Sequence, residues 1–434
     1  MNLFHLFYNL IGTTAGALAI PTYWFSQRKN TETLDRLHQR LGWYPPSISN
    51  QLQTRHHVWL HAVSVGEVGV ACAITEALGR LLPRCQMAVS TTTRQGLARA
   101  NALFKNRAAC FYAPIDLLGP TDRALKLVRP KALVLLETEL WPNLIVRAQR
   151  RGIRTVILNG RISVRAIKRY RKIRPLMRHV LEHVDVFSMI SQADAERIHS
   201  LGASEDRIVV NGNAKFDGPD PIVGGQQAIQ WAMELFGLTG DTPVFVAGST
   251  REPEERTVLD AYLRVRSSFP ELVLIIAPRH IERVAQIEYW VKERGLQCQR
   301  RSTLDRLTNP RRAPVVLLDT IGELSDTYSV ARFVFCGGSL VPKGGQNLLE
   351  AAAWAKPIMY GPSMEDFADA QQLIEAAGGS IMVQNADQMA AVAANWLRRP
   401  HLALYTGNAG RRAILAHRGA AKKHAEVAMG LLMD

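Results

Sequence analysis

Short, continuously apolar runs recur along this chain with room for one helix between each pair. In the first half they are His57 to Val63, Gln86 to Ser90, Ala132 to Leu136, Arg154 to Leu158, Asp185 to Met189 and Ile208 to Asn211. A strand that is apolar at every position is covered on both faces, which is the arrangement of parallel strands joined by crossover helices. The stretch NGNAKFDGPDPIVGG, Asn211 to Gly225, then concentrates turn formers and reads as a linker. A second series follows at Val244 to Ala247, Leu272 to Ile276, Val315 to Leu318, Arg332 to Cys336, Pro357 to Tyr360 and Ser380 to Val383. The expectation is an α/β chain of two Rossmann-like lobes, with ligands at the carboxyl ends of the strands facing an interlobe cleft. The boundaries implied are 28–212 for the first lobe, 213–225 for the hinge, 226–401 for the second lobe and 402–434 for terminal helices.

Residues 1–27 carry no Lys, Arg, Asp or Glu, and Arg28, Lys29, Arg36 and Arg40 follow at once. This reads as a membrane anchor helix. At about 1.5 Å per residue, Leu3 to Trp24 reaches across a core of about 30 Å, although Gly12, Gly16 and Pro21 weaken the helix. Spanning and lying in the interface are both open, and Ala17-Leu18-Ala19 also offers a signal-peptide cleavage pattern. Against cleavage, no cation precedes the apolar run. The cations just after it place the remaining chain on the cytoplasmic side, and Tyr23 and Trp24 suit the headgroup level.

The 434 residues are 47% hydrophobic, which excludes a disordered or collagen-like chain, and the net charge of +15 predicts an anionic partner: nucleic acid, a membrane face or a phosphorylated substrate. Cys72, Cys85, Cys110, Cys298 and Cys336 are scattered, with no C-x-x-C pair, and read as core thiols in a reducing compartment.

Chemistry is expected where strands end. In HAVSVGE, His61 to Glu67, the carboxylate of Glu67 falls at a helix N-terminus, where capping is the plain alternative to catalysis. Glu137 and Glu139 end the strand ALVLL just before Leu140-Trp141-Pro142-Asn143, and Pro142 suits the first helical position. From Arg161 to His179, the cations Arg161, Arg165, Lys168, Arg169, Arg171, Lys172, Arg174 and Arg178 occur with no acid among them, which suits phosphates or anionic lipid. Nucleic acid is the rival, but only Tyr170 interleaves the run. In the second half, AGST at 247–250 and APRH at 277–280 follow apolar strands, and Arg279 supplies a fork for phosphate. Gly337-Gly338-Ser339 opens onto KGGQNLLE, residues 343–350, as a candidate anion loop, although neither the dinucleotide nor the Walker spacing is met. There is no Asp-x-Asp pair, no H-E-x-x-H and no serine nucleophile elbow.

Together these segments resemble the bacterial 3-deoxy-D-manno-octulosonic acid (Kdo) transferase family. The motifs are HAVSVGE, STTTRQG from Ser90, ETELWPN from Glu137, LNGRIS from Leu158, NAKFD from Asn213, APRH from Ala277, IGEL from Ile321 and CGGSLVPKGGQNLLEAA from Cys336, in order over nearly the whole chain. The resemblance implies a GT-B fold and inverting transfer of Kdo from CMP-Kdo to the lipid A precursor at the cytoplasmic face of the inner membrane. It implies Glu67 as general base and Glu137 and Lys215 as stabilisers of the transition state. CMP is then held by Pro278, Arg279, Ile321, Gly322, Glu323, Asn347, Leu348, Leu349 and Glu350. The acceptor phosphates or the membrane fall to Arg161, Arg165, Lys168, Arg169, Arg171 and Lys172. Lys215 is expected on the hinge, swinging toward the donor as the lobes close, and Glu139 carries no assigned role. The expected phosphate partners are Arg279 and the turns at Gly322 and Gly337-Gly338. No metal or other cofactor is expected, because CMP leaves as a monoester that develops less charge than a nucleoside diphosphate and no Asp-x-Asp pair is present, and no nucleic-acid partner is expected. A GT-B transferase using a nucleoside-diphosphate sugar and a non-catalytic two-lobed binding protein are the alternatives.

Overall fold

The computed structural model describes residues 3–28, 30–53, 58–105, 107–137, 139–218 and 221–433, apart from the side chains of Gln27, Val164 and Arg165. His57, Lys29, Thr138, Pro219 and Asp220, all within segments discussed above, lie outside the described residues. The chain divides into two compact units: residues 1–218 with 417–434, and residues 219–416.

The first unit holds seven strands: β1 (Val58–His61), β2 (Met87–Thr91), β3 (Ala108–Tyr112), β4 (Ala132–Leu136), β5 (Arg154–Gly160), β6 (Val186–Met189) and β7 (Ile208–Val210). They form one parallel sheet in the order β3-β2-β1-β4-β5-β6-β7. Its two faces are covered by different cores, as continuous apolar strands require. Trp59, Leu133, Leu135 and Ile157 face one core, and Val58, Leu60, Val134, Leu136 and Val156 face the other. The second unit repeats the plan with β8 (Val244–Thr250), β9 (Val273–Pro278), β10 (Cys298–Arg300), β11 (Val315–Leu317), β12 (Phe333–Cys336), β13 (Ile358–Tyr360) and β14 (Ser380–Met382). Their order is β10-β11-β9-β8-β12-β13-β14. In each sheet the order reverses beside the first strand, between β1 and β4 and between β8 and β12. Such a reversal opens a crevice at the carboxyl ends of the two strands.

Two strands escape the sequence pattern. The edge strand β3 reads AACFY, with small residues where the pattern looks for Val and Ile, and β10 is three residues long and includes Gln299 and Arg300. The terminal segment also divides. The helix Pro400–Ala416 stays with the second unit, and the helix Ala420–Met433 returns to the first. The returning helix is tied at its start by Asp217, which accepts from the Gly419 and Ala421 N–H groups at 2.5 and 2.6 Å. Further along, His424 Nδ1 lies 2.7 Å from Ser188 Oγ. All five cysteines are free, and only Cys336 is fully buried, so "core thiol" describes one of them and the other four are part-buried. Burial raises the Cys85 and Cys110 thiols to about 11 and about 12, so neither is a reactive thiolate near neutral pH.

Candidate active site

The reversal point of the first sheet gathers the acidic residues singled out above. After β1, Ser64 caps the helix Val65–Leu81: its hydroxyl accepts from the Glu67 N–H at 3.3 Å and donates to Glu67 Oε1 at 2.8 Å. The other oxygen, Oε2, accepts from the Val63 N–H at 2.7 Å. This S-x-x-E arrangement is a variant of the capping box in which the glutamate reaches the N–H of the residue before the cap, so the capping role is real. It also holds the carboxyl in one place, 8% exposed. Burial, then the charge of Glu137, raises its pKa to about 7 against the opposing Val63 N–H. A carboxyl tuned to neutrality can take up a proton as a base, which one at its ordinary value does poorly.

Glu137 follows the last residue of β4 with φ +53°, a left-handed conformation that costs a non-glycine residue about 1 to 2 kcal/mol. Its N–H donates to the Leu158 carbonyl, and its carboxylate forms an ion pair with the Lys215 ammonium, Nζ lying 2.6 Å from Oε1. Lys215 does not ride on a free hinge. The turn Ala214–Asp217 belongs to the first unit, and three side chains clamp it there. Asn159 Oδ1 accepts from the Ala214 N–H at 2.8 Å, Asn213 Oδ1 accepts from the Lys215 N–H at 3.0 Å, and Asp217 holds the returning helix. Asn159 and Asp217 thus explain the LNGRIS and NAKFD motifs as the frame that aims Lys215 at Glu137.

Glu139 acquires a role. It accepts the Trp141 indole N–H at 2.5 Å, and the Trp141 ring stands edge-on to His61 with centroids 5.0 Å apart. His61 is fully buried, with Nδ1 2.9 Å from Ser90 Oγ, which itself accepts from Trp59 Nε1 at 2.8 Å. Burial lowers the His61 pKa to about 3, which keeps the ring neutral. The loop carrying Glu67 and the loop carrying Glu137 are in this way braced against each other through His61, Trp141 and Glu139.

Arg161 follows β5 at the same edge of the sheet, and the helix Val164–Lys172 leads away from it. Lys168, Arg169, Arg171 and Lys172 are exposed, and among the described residues no carboxylate pairs with them. The Arg165 side chain lies outside the described residues.

In the second unit the expected nucleotide residues also lie at carboxyl ends of strands. Pro278 ends β9 and is buried, and Arg279 follows with its N–H on the Thr250 carbonyl at 2.9 Å and its side chain exposed. Ile321, 83% exposed, and Gly322, at φ +94°, follow β11. An apolar side chain so exposed beside a polar loop suits the face of a base. Glu323 is taken by Arg301 at 2.8 Å and by the Thr320 hydroxyl. Asn347 Nδ2 donates to Glu350 Oε1 at 3.0 Å, and Leu348 and Leu349 are buried behind them. A cavity of about 240 Å³ lined by Thr239, Arg332 and Lys356 opens at the opposite, amino edge of this sheet, away from these residues.

One expectation fails. The loop Gly337-Gly338-Ser339 is not an open anion site, because Glu254 already fills it. The Gly338, Ser339 and Leu340 N–H groups donate to Glu254 at 2.6, 2.9 and 2.8 Å, and the Arg251 N–H donates to it at 2.8 Å. Gly337 is required by close approach: a Cβ there would meet Thr250 Cα at 2.5 Å. Glu254 is 1% exposed, and burial raises its pKa while the four N–H donors oppose the shift. The only sequence signal for it is an acid in the first turn of a helix following a proline. Among the described residues no group of three or more His, Cys, Asp or Glu side chains is placed to hold a metal ion.

Residues 35–218 match the family described as 3-deoxy-D-manno-octulosonic-acid transferase (kdotransferase). A 3-deoxy-D-manno-octulosonic acid transferase of Haemophilus influenzae is 30% identical over 91% of this chain and 91% of its own length. A bifunctional glycosyltransferase/methyltransferase of Fusobacterium nucleatum is 32% identical over 88% of this chain, which spans 57% of that longer protein. Among solved structures, a glycosyltransferase from Rickettsia africae matches 88% of this chain and 100% of its own, with a TM-score of 0.58 and 12% identity, which is a likeness of fold.

Proposed function

The chain belongs to the 3-deoxy-D-manno-octulosonic acid transferase family, and we propose that it moves Kdo with inversion from CMP-Kdo to the disaccharide bisphosphate precursor of lipid A at the cytoplasmic face of the inner membrane. The observation that carries the reading is the grouping at the reversal of the first sheet: a buried carboxyl tuned to about 7 at Glu67, with the Glu137–Lys215 ion pair at the end of the neighbouring strand. Glu67 removes the proton of an acceptor hydroxyl as its oxygen attacks the anomeric carbon of Kdo, and CMP departs. Lys215 places positive charge where the anionic donor reacts, and Glu137 holds that ammonium in position. The exposed fork of Arg279 takes the phosphate, the Asn347–Glu350 pair takes the ribose hydroxyls, and Ile321 lies against the cytosine. With the Gly337 loop closed by Glu254, the guanidinium carries more of the phosphate recognition than the sequence alone suggested.

The donor assignment is tested by Arg279→Ala. Its KM for CMP-Kdo is expected to rise about tenfold or more, the scale of one charged hydrogen bond, with a smaller change in kcat. An unchanged KM removes Arg279 from the donor site. The acceptor assignment is tested by reversing Arg169, Arg171 and Lys172 together. At about 1 kcal/mol per cation near an anionic surface, vesicle binding and use of the acceptor should weaken by at least tenfold while donor affinity holds. Loss of donor affinity alone would assign the run elsewhere.

A further inference from the structure

The helix Leu3–Gln27 is long and apolar enough to cross a membrane, yet its contacts run along its whole length on one side. Near its start His5, 5% exposed, has Nε2 2.9 Å from Asn143 Oδ1 and its ring 5.4 Å from that of His179. The Tyr8 hydroxyl donates to Asp116 Oδ2 at 2.9 Å. In the middle, Gly12 and Gly16 lie against Leu117, so close that a Cβ would stand 3.1 and 3.0 Å from its methyl groups. Near the far end Arg36 Nη2 donates to the Tyr23 hydroxyl at 3.3 Å. Positions 5, 8, 12, 16 and 23 form one stripe of a helix. The glycines that weaken a spanning helix are what this close approach needs.

A helix of 25 residues is about 37 Å long, enough to set its two ends on opposite sides of a bilayer core of about 30 Å. The first unit touches both ends, which a spanning helix does not permit. The opposite side of the helix is apolar and exposed, with Leu3, Phe7, Leu10, Ile11, Leu18 and Phe25 between 53 and 70% accessible. Next to its start lies the helix Arg174–Leu181, which carries His179 and the exposed Arg174 and Arg178. Apolar surface bordered by exposed cations, of which Arg178 makes only a solvent-exposed pair with Glu182 at 3.6 Å, fits an anionic phospholipid leaflet.

We propose that Leu3–Gln27 lies in the plane of the membrane surface, clamped to the first unit through His5–Asn143 and Tyr8–Asp116, with its outer side embedded in one anionic leaflet and both ends on the side of the catalytic units. This rests on the reading that the protein works at a membrane. The clamp reaches the active-site frame: Asp116 also accepts the Asn143 and Leu144 N–H groups, each at 2.9 Å, in the helix that follows Trp141. Seating the helix therefore supports the loop of Glu137 and Glu139.

The full chain carrying Gly12→Cys and Leu117→Cys, bound to vesicles of phosphatidylethanolamine and phosphatidylglycerol, should form an oxidative cross-link absent from either single variant. In sealed membranes, an impermeant maleimide should label Asn2→Cys, a position ahead of the embedded helix, from the same side as Leu307→Cys, an exposed position of the second unit. Vesicle binding without the cross-link, together with labelling of Asn2→Cys from the opposite side, overturns the proposal in favour of a spanning helix. A wild-type chain that fails to bind the vesicles overturns instead the membrane reading beneath it. If the cysteine pair does not fold, His5→Leu with Tyr8→Phe gives the second arm. Vesicle binding should persist while protease cleavage between residues 27 and 35 speeds up at least fivefold, and unchanged cleavage overturns the clamp.

Discussion

Replacing Glu67 by Gln is expected to lower Kdo transfer by about 100-fold or more, the scale for losing a positioned general base, while CMP-Kdo still binds. The side chain keeps its shape and an oxygen for the Val63 N–H, so the loss reports chemistry rather than a lost helix cap. In the wild-type protein, transfer should rise with pH through about 7, because below that value the Glu67 carboxyl holds a proton and cannot accept another. Glu137 contributes to that value through its negative charge, and Lys215 offsets the charge. Lys215→Met should therefore move the acidic limb to higher pH, and Glu137→Gln should move it lower. Near-normal turnover in Glu67→Gln would leave capping as the whole role of this residue.

The second large effect is expected at Glu254. Four backbone N–H groups depend on this one buried carboxylate, and each buried donor left without an acceptor costs about 1 to 3 kcal/mol. Water entering the gap would recover part of that, so Glu254→Ala should destabilise the second unit by about 4 kcal/mol. For a unit of this size that lowers its melting temperature by about 10 °C. Donor binding should fall with it, while vesicle binding through the first unit holds. Calorimetry of the variant is the check. An unchanged transition with tighter binding of inorganic phosphate would show that the loop is an anion site after all and that Glu254 blocks it.

Much of this architecture is legible in the chain because a strand buried on both faces leaves a local trace. The runs VWLH and ALVLL need no partner to be recognised, and their ends locate Glu67 and Glu137. The same logic fails at β3 and β10, where edge positions tolerate Ala, Gln and Arg. It also fails wherever a contact joins distant parts of the chain. That Glu254 fills the loop at 338–340, that Asn159 and Asp217 hold the turn of Lys215, and that Ala420–Met433 returns to the first unit are long-range hydrogen bonding, invisible to periodicity. From spacing alone, capping and catalysis are alternative roles for Glu67. The structure joins them, since the cap holds the carboxyl in the buried place that raises its pKa.

The account stands on sugar transfer, and one measurement addresses it directly. Purified protein is incubated with CMP-Kdo and a tetraacylated disaccharide bisphosphate in detergent, and the lipid products are weighed by mass spectrometry. The expected result is acceptor heavier by one or more whole Kdo residues with release of CMP, and no such product from Glu67→Gln on the same timescale. An acceptor of unchanged mass with an active control transferase alongside, or a mass gain obtained only from a nucleoside-diphosphate sugar, would contradict it.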